Sequence, residues 1–134
     1  SVDRRFRDEL AAWVADGGRL LVIRNSYRRR LTLPGGGIDG GERADAAAVR
    51  ELREEVGIRL APAQLRFVGQ YRSAIEFKRD TINLYAVHLD DLPDIEIDNR
   101  EVAYAAFVDP VELKQAEAFP ALLDYLADAP GVRV

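Results

Sequence analysis

The sequence contains no cysteine and a single histidine, His88. Without cysteine there is no disulfide, no thiolate nucleophile and no sulfur-ligated zinc. One imidazole also excludes the multi-histidine zinc and iron sites. Carboxylate oxygen is then the only abundant metal-binding chemistry, which suits Mg²⁺, Mn²⁺ or Ca²⁺. Long apolar runs are missing too: Leu20 to Ile23 is a strand-sized piece, and no run approaches the ~20 residues that span a bilayer. No basic segment followed by an apolar stretch opens the chain, so a cytoplasmic location is expected. The first residue is Ser1 rather than methionine, which leaves room for a short leader ahead of it. Positive charge is outweighed, with 19 Lys and Arg against 23 Asp and Glu for a net charge of −4. General nucleic-acid binding, which needs a basic face, is therefore not expected.

What is present points to one soluble globular domain over residues 1–134. The length is that of an ordinary domain and allows roughly two-thirds of the unfolded surface to be buried, and 48% hydrophobic with 31% charged residues is the composition of a globular protein. No internal repeat, low-complexity stretch or linker interrupts it.

Along the chain, Phe6, Leu10, Trp13 and Val14 fall near helical spacing and predict a helix over residues 2–15, ended by Asp16-Gly17-Gly18. Arg19 to Arg24 reads as a buried strand and Asn25-Ser26 as a turn, with the basic run Arg28-Arg29-Arg30 behind it. Leu31-Thr32-Leu33 reads as a short strand stopped by Pro34 and the glycines Gly35 to Gly37. A strong helix is predicted from about Arg43 to Val56, closed by Gly57. Leu65 to Phe77 and Thr81 to Leu89, rich in β-branched and aromatic residues, read as paired strands. A loop at Asp90–Asp94 precedes a strand at Tyr104–Val108. Asp109-Pro110 reads as a helix start, and residues 118–129 as a terminal helix. The pattern is that of an α/β domain with a mixed sheet between helices.

The informative stretch is Gly36 to Ile58, GGIDGGERADAAAVRELREEVGI. On a helix at ~100° per residue, Glu51, Glu54 and Glu55 fall at i, i+3 and i+4 and share one face. Val49, Leu52 and Val56 fall on another, able to dock the helix on a sheet. Close like charges repel by roughly 0.2–0.5 kcal/mol per pair on an exposed helix, and only Arg43, Arg50 and Arg53 are near enough to offset them. The cluster makes physical sense if a cation sits over it. The glycines ahead of the helix, lacking Cβ, let backbone approach a metal or phosphate closely.

The spacing Gly36-x5-Glu42-x7-Arg50-Glu51-Leu52-x-Glu54-Glu55-x-Gly57-Ile58 resembles the Nudix box, with no departure from it. Seven residue-specific positions would coincide by chance on the order of once in 10⁸ or rarer. The resemblance implies a Nudix-type α/β/α sandwich and a metal-dependent hydrolase, using Mg²⁺ with Mn²⁺ as the alternative. It would act on a nucleoside diphosphate linked to another group, as in a nucleoside triphosphate or nucleotide-sugar type of compound.

By the same resemblance, Glu54 and Glu55 look like metal ligands, and Glu51 like a ligand that can also act as general base. The Gly36 carbonyl looks like an additional ligand, Arg50 like the residue that orients a glutamate, and Glu42 like a support at the helix start. In many members of the family a later loop supplies the base; the candidates here are Glu96, Asp98 and Glu101, with Glu101 favoured because it precedes the Tyr104–Val108 strand. Arg28, Arg30 and Arg79 are candidate substrate-binding residues, although a solvated hairpin tip also accounts for the first two. Arg72, Lys78 and Asp80 could line the same cleft. Tyr27, Tyr71 and Phe77 either stack on a base or simply pack, and His88 reads as structural.

The expected partner is a small-molecule nucleotide, with no membrane partner and a homodimer left open. Two other classes stand beside this one: an isoprenyl diphosphate isomerase of the same fold, which would need a cysteine that this chain lacks, and a catalytically silent nucleotide-binding or regulatory module.

Overall fold

The computed structural model describes residues 7–16, 19–27, 31–75, 78–90, 93–97 and 100–109, with only the backbone described at 7–11, 13–16, 71–75 and 78–80. In chain order these form β1 (Arg7–Asp16), β2 (Arg19–Asn25), β3 (Gly35–Gly37), helix α1 (Ala44–Val56), a 3-10 turn at Pro62–Gln64, β4 (Arg66–Ile75), β5 (Lys78–His88) and β6 (Val102–Val108).

All the strands join one six-stranded mixed sheet in the order β4-β5-β1-β2-β6, with β3 pairing with β1 off this path. β1 is the organising strand. It runs parallel to β5 from Arg7 opposite Asp80 to Ala15 opposite His88. Along its other edge it is shared. Its early half pairs antiparallel with β3, Leu10 opposite Gly36, and its end pairs antiparallel with β2, Asp16 opposite Arg19. Between these, the Ala12 N–H donates to the Pro34 carbonyl at 2.8 Å. β2 therefore diverges from β1 and ladders with β6 instead, and the chain before the helix fills the gap.

The helix expected over residues 2–15 is thus corrected to a strand where the chain is described. Central strands carry near-continuous apolar runs rather than alternation, and Leu10 to Ala15 is such a run. Its alanines favour helix only in isolation, and sheet pairing on both edges overrides them. The strand expected at Leu31–Leu33 is also corrected. Only an isolated bridge between Ile23 and Thr32 forms there, and the glycines expected to stop it make β3 themselves. The strands expected at 65–77 and 81–89 are β4 and β5, paired antiparallel. The helix start at Asp109-Pro110 and the terminal helix at 118–129 lie outside the described residues, apart from Asp109 itself.

Helix α1 begins after Arg43, whose extended backbone makes no side-chain cap, and ends at Gly57 with φ 73°. That left-handed conformation suits glycine. The Gly57 and Ile58 N–H groups close on the carbonyls of Arg53 at 3.1 Å and Leu52 at 3.3 Å. Leu52 and Val56, fully buried, join Ala12, Leu21, Ile23, Ile58, Val87 and Val102 in one core cluster. Leu20 and Val22, which alternate with Leu21 and Ile23 along β2, are as deeply buried, so both faces of that strand are covered. The apolar face of α1 is therefore locked to the sheet, and the orientation of its polar face follows.

Candidate active site

The polar face of α1 meets the glycine strand β3. At its centre lies Arg50, whose side chain is only 22% exposed. Nε and Nη2 of Arg50 donate to both carboxylate oxygens of Glu42, at 2.9 and 3.0 Å. Nη1 donates to Glu51 Oε1 at 2.9 Å and Glu54 Oε2 at 3.3 Å. Nη2 also reaches the Gly37 carbonyl at 3.2 Å, and Asp39 lies 3.6 Å away. Arg50, expected to orient a glutamate, thus forms its two-pronged pair with Glu42, with Glu51 and Glu54 held by the remaining nitrogen. Planar guanidinium geometry is what allows such a fork. The hydrogen bond to Arg50 lowers the Glu42 pKa, burial opposing it, and the same bond raises that of Arg50.

Glu55 differs from its neighbours. It is buried, 5% exposed, and its Oε1 accepts the Gly35 N–H at 2.8 Å. Among the described residues Arg50 pairs with Glu42, Glu51 and Glu54 but not with Glu55. Burial foremost, then the negative charge of Glu51, pushes its carboxyl up to about 8; the Gly35 hydrogen bond opposes this, and Glu101 and Glu54 add to it. Glu51 is also raised, by burial first, with Arg50 opposing and the charges of Glu54 and Glu101 adding. Such a cluster of poorly compensated carboxylates is the environment a cation would relieve.

Gly36 stands directly against Glu51. A Cβ there would lie 3.0 Å from Glu51 Oε1 and 3.1 Å from Cδ, so a larger residue would displace the carboxylate. As the side chains stand, no three acidic or histidine groups among the described residues form a ready nest for a metal ion. Their oxygens are turned to Arg50 and to the Gly35 N–H. The donor set nonetheless fits a hard divalent cation in kind: oxygen only, anionic, part-buried and beside glycine backbone that lacks Cβ.

The remaining expected residues are dispersed. Glu101 is exposed, immediately before β6, yet its charge acts on both Glu51 and Glu55. Glu96 is exposed at the end of α1, its N–H donating to the Val56 carbonyl at 2.9 Å. Asp98, Arg28 and Arg30 lie outside the described residues. Arg79 pairs with Ala74, and Arg72 with Thr81, across β4 and β5, their side chains outside the described part. His88 is exposed at the end of β5. The Gly35 amide and Ser26, which binds the segment carrying Glu101, carry no sequence signal beyond glycine and turn composition. Among the described residues no helix is long and apolar enough to cross a membrane.

A mixed sheet with a carboxylate-bearing helix docked beside a glycine strand defines an α/β scaffold with an acidic, oxygen-lined site. A model of the NUDIX domain matches residues 5–128, and the chain belongs to the Nudix family. The fold is shared with a MutT Nudix hydrolase from Burkholderia pseudomallei, at 21% identity and a TM-score of 0.79, covering 92% of this chain and 97% of that one. It is shared also with the Nudix domain of Shewanella oneidensis NrtR complexed with ADP-ribose, at 14% identity and a TM-score of 0.81, covering 96% and 92%. An RNA pyrophosphohydrolase from Shewanella denitrificans is 36% identical over 61 residues, which are 46% of this chain but only 34% of that protein. The matched segment is about a third of that relative's length.

Proposed function

We propose that this chain hydrolyses a nucleoside diphosphate linked to a further group, such as a nucleoside triphosphate or a nucleotide-sugar type of compound, with Mg²⁺, or Mn²⁺ in its place, as cofactor. The observation that carries the reading is the arrangement of Glu51, Glu54 and Glu55 on one face of α1 against Gly35–Gly37, with buried Glu55 left outside the reach of Arg50. Glu51, Glu54, Glu55 and the Gly36 carbonyl would hold the ion. A bound divalent cation would supply charge neutralisation on the diphosphate and a water of lowered pKa.

The chain's own residues have separable tasks. Glu42 fixes Arg50 through both carboxylate oxygens, and Arg50 in turn restrains Glu51 and Glu54. The Gly35 N–H fixes Glu55. Glu51 or Glu101 accepts the proton as the water oxygen bonds to phosphorus, and the phosphoanhydride oxygen leaves with the broken P–O bond's electrons. Arg28, Arg30 and Arg79 are the candidates for gripping outlying phosphates. The whole of residues 1–134 acts as one domain on a small-molecule nucleotide in the cytoplasm, as a monomer or a homodimer.

The second reading, a nucleotide-binding module without turnover, is favoured by one observation: the carboxylate oxygens are engaged by Arg50 and Gly35 rather than grouped. A panel separates the two. A nucleoside triphosphate, ADP-ribose, a dinucleoside tetraphosphate and a 5′-triphosphate RNA would be assayed for phosphate or nucleotide release with and without chelator. Turnover abolished by chelator supports the hydrolase. Turnover indifferent to excess chelator refutes the metal mechanism, and tight binding with no release on any compound establishes the module.

A further inference from the structure

The segment leading into β6 is held at two places outside the sheet. Its earlier part is tied to the end of α1 through the Glu96 N–H and the Val56 carbonyl, 2.9 Å apart. Its later part closes on Ser26, just past β2. The Ser26 N–H donates to the Glu101 carbonyl at 2.8 Å, and its hydroxyl donates to the Arg100 carbonyl at 2.8 Å. One serine thus engages the carbonyls of two successive residues.

The ladder beside this clamp is irregular. Arg24 pairs with Tyr104 and Asn25 with Val102, a shift of register that leaves Ala103 without a partner on β2. Bulges of this kind bend a strand and re-aim the residues next to them. Val102 is fully buried in the same core cluster as Leu52 and Val56, which directly follow Glu51 and Glu55 in sequence. Chain continuity therefore brings Glu101 beside the acidic face, consistent with the like charge it exerts on Glu51 and Glu55.

We propose that Ser26 is a positioning residue, which fixes the approach of Glu101 to the face carrying Glu51 and Glu55 by holding the carbonyls of Arg100 and Glu101. The inference rests on the hydrolase reading and on Glu101 taking part in it. Ser26 touches neither substrate nor carboxylates in this scheme. It removes the freedom of an exposed segment whose acid must stand at a defined distance, the kind of restraint on which catalytic geometry depends.

The test measures kcat and KM on the panel compound turned over fastest, in Ser26→Ala, Ser26→Thr, Glu101→Gln and Ser26→Ala with Glu101→Gln. Glu101→Gln should lower kcat by ~10²–10⁴, the usual size of a general-base contribution. Ser26→Ala should lower kcat by roughly three- to tenfold, the rate equivalent of one neutral hydrogen bond. Neither KM nor Mg²⁺ affinity should move in that variant. Ser26→Thr, which keeps both donors, should restore the rate, and Ser26→Ala should have no further effect once Glu101 is glutamine.

A merely structural serine would instead give additive losses in the double variant, which overturns the proposal. A silent Ser26→Ala beside an impaired Glu101→Gln overturns the positioning role alone. A silent Glu101→Gln overturns it by removing Glu101 from the reaction. Amide hydrogen exchange at residue 26 gives an arm that needs no turnover: it should quicken by roughly three- to tenfold in Ser26→Ala, and unchanged exchange refutes the clamp.

Discussion

Replacing Glu55 by glutamine should make the metal-free protein more stable at alkaline pH and leave it unchanged in acid. Glu55 is 5% exposed, and burial with neighbouring negative charge raises its carboxyl from 4.5 to about 8. Folding therefore favours the protonated form. The resulting stability is fully present below the unfolded value and is lost as pH rises through about 8. At about 1.4 kcal/mol per tenfold in the ionisation constant, the loss at pH 8.5 is on the order of 3–5 kcal/mol. Glutamine keeps the shape and the acceptor for the Gly35 N–H, now 2.8 Å from Oε1, but carries no charge to desolvate.

In chelator, the two proteins should melt together at pH 4.5. At pH 8.5 the variant should melt higher by about 10–25 °C, given roughly 3–5 °C per kcal/mol for a domain of this size. Circular dichroism melts at half-unit intervals of pH would follow the divergence. Saturating Mg²⁺ should close it by stabilising the wild type far more than the variant. Melting curves that stay parallel over the whole range, or a variant that melts lower at pH 8.5, would refute the account of Glu55 as a strained, ion-seeking carboxylate.

Arg50→Lys keeps the charge but not the fork to Glu42, Glu51 and the Gly37 carbonyl. It should lower kcat by roughly 10–100-fold with a small effect on folding, read by steady-state kinetics alongside a melt. Gly57→Ala should destabilise the protein by ~1–3 kcal/mol in urea titration. Its φ of 73° strains any L side chain, and the added Cβ would lie 3.0 Å from the Glu96 Cβ. An alanine variant as stable as wild type would show that the end of α1 rearranges freely.

How much of this was readable beforehand depended on how local the determinants are. Helix α1 was legible because its apolar face, its acidic face and its closing glycine all lie within residues 43–57. β4 and β5 were legible because their β-branched and aromatic residues speak for extended chain without help from elsewhere. β1 was misread because what makes it a strand is distant: β5 on one edge and β3 on the other. A local sign was present even so, since two glycines between apolar runs mark a hairpin as well as a helix end.

Within the site, the types of residue were legible and their partnerships were not. That Arg50 takes Glu42 in both prongs follows from where the Gly40–Gly41 turn delivers Glu42. Gly41, with φ 78°, sets that course through backbone geometry. The isolation of Glu55 follows from burial, which no spacing announces. Ser26 looked like turn composition because its two acceptors, Arg100 and Glu101, are distant in sequence and meet it only when β2 and β6 pair.

The position of β1 also governs how the molecule can come into being. Of the described strands β1 is synthesised first, but its parallel partner spans Asp80 to His88 and follows only after β2, β3, α1 and β4. Until then β1 can do no more than form its hairpin with β2 and await the glycine strand, leaving one edge open to other extended chains. Folding is thus dominated by a long loop closure, which is slow and leaves a window for misassociation. Deleting Arg7–Asp16 would remove the centre of the sheet rather than its border. That strand is the shared neighbour of β2, β3 and β5, so its loss would leave three strands without a partner on that side.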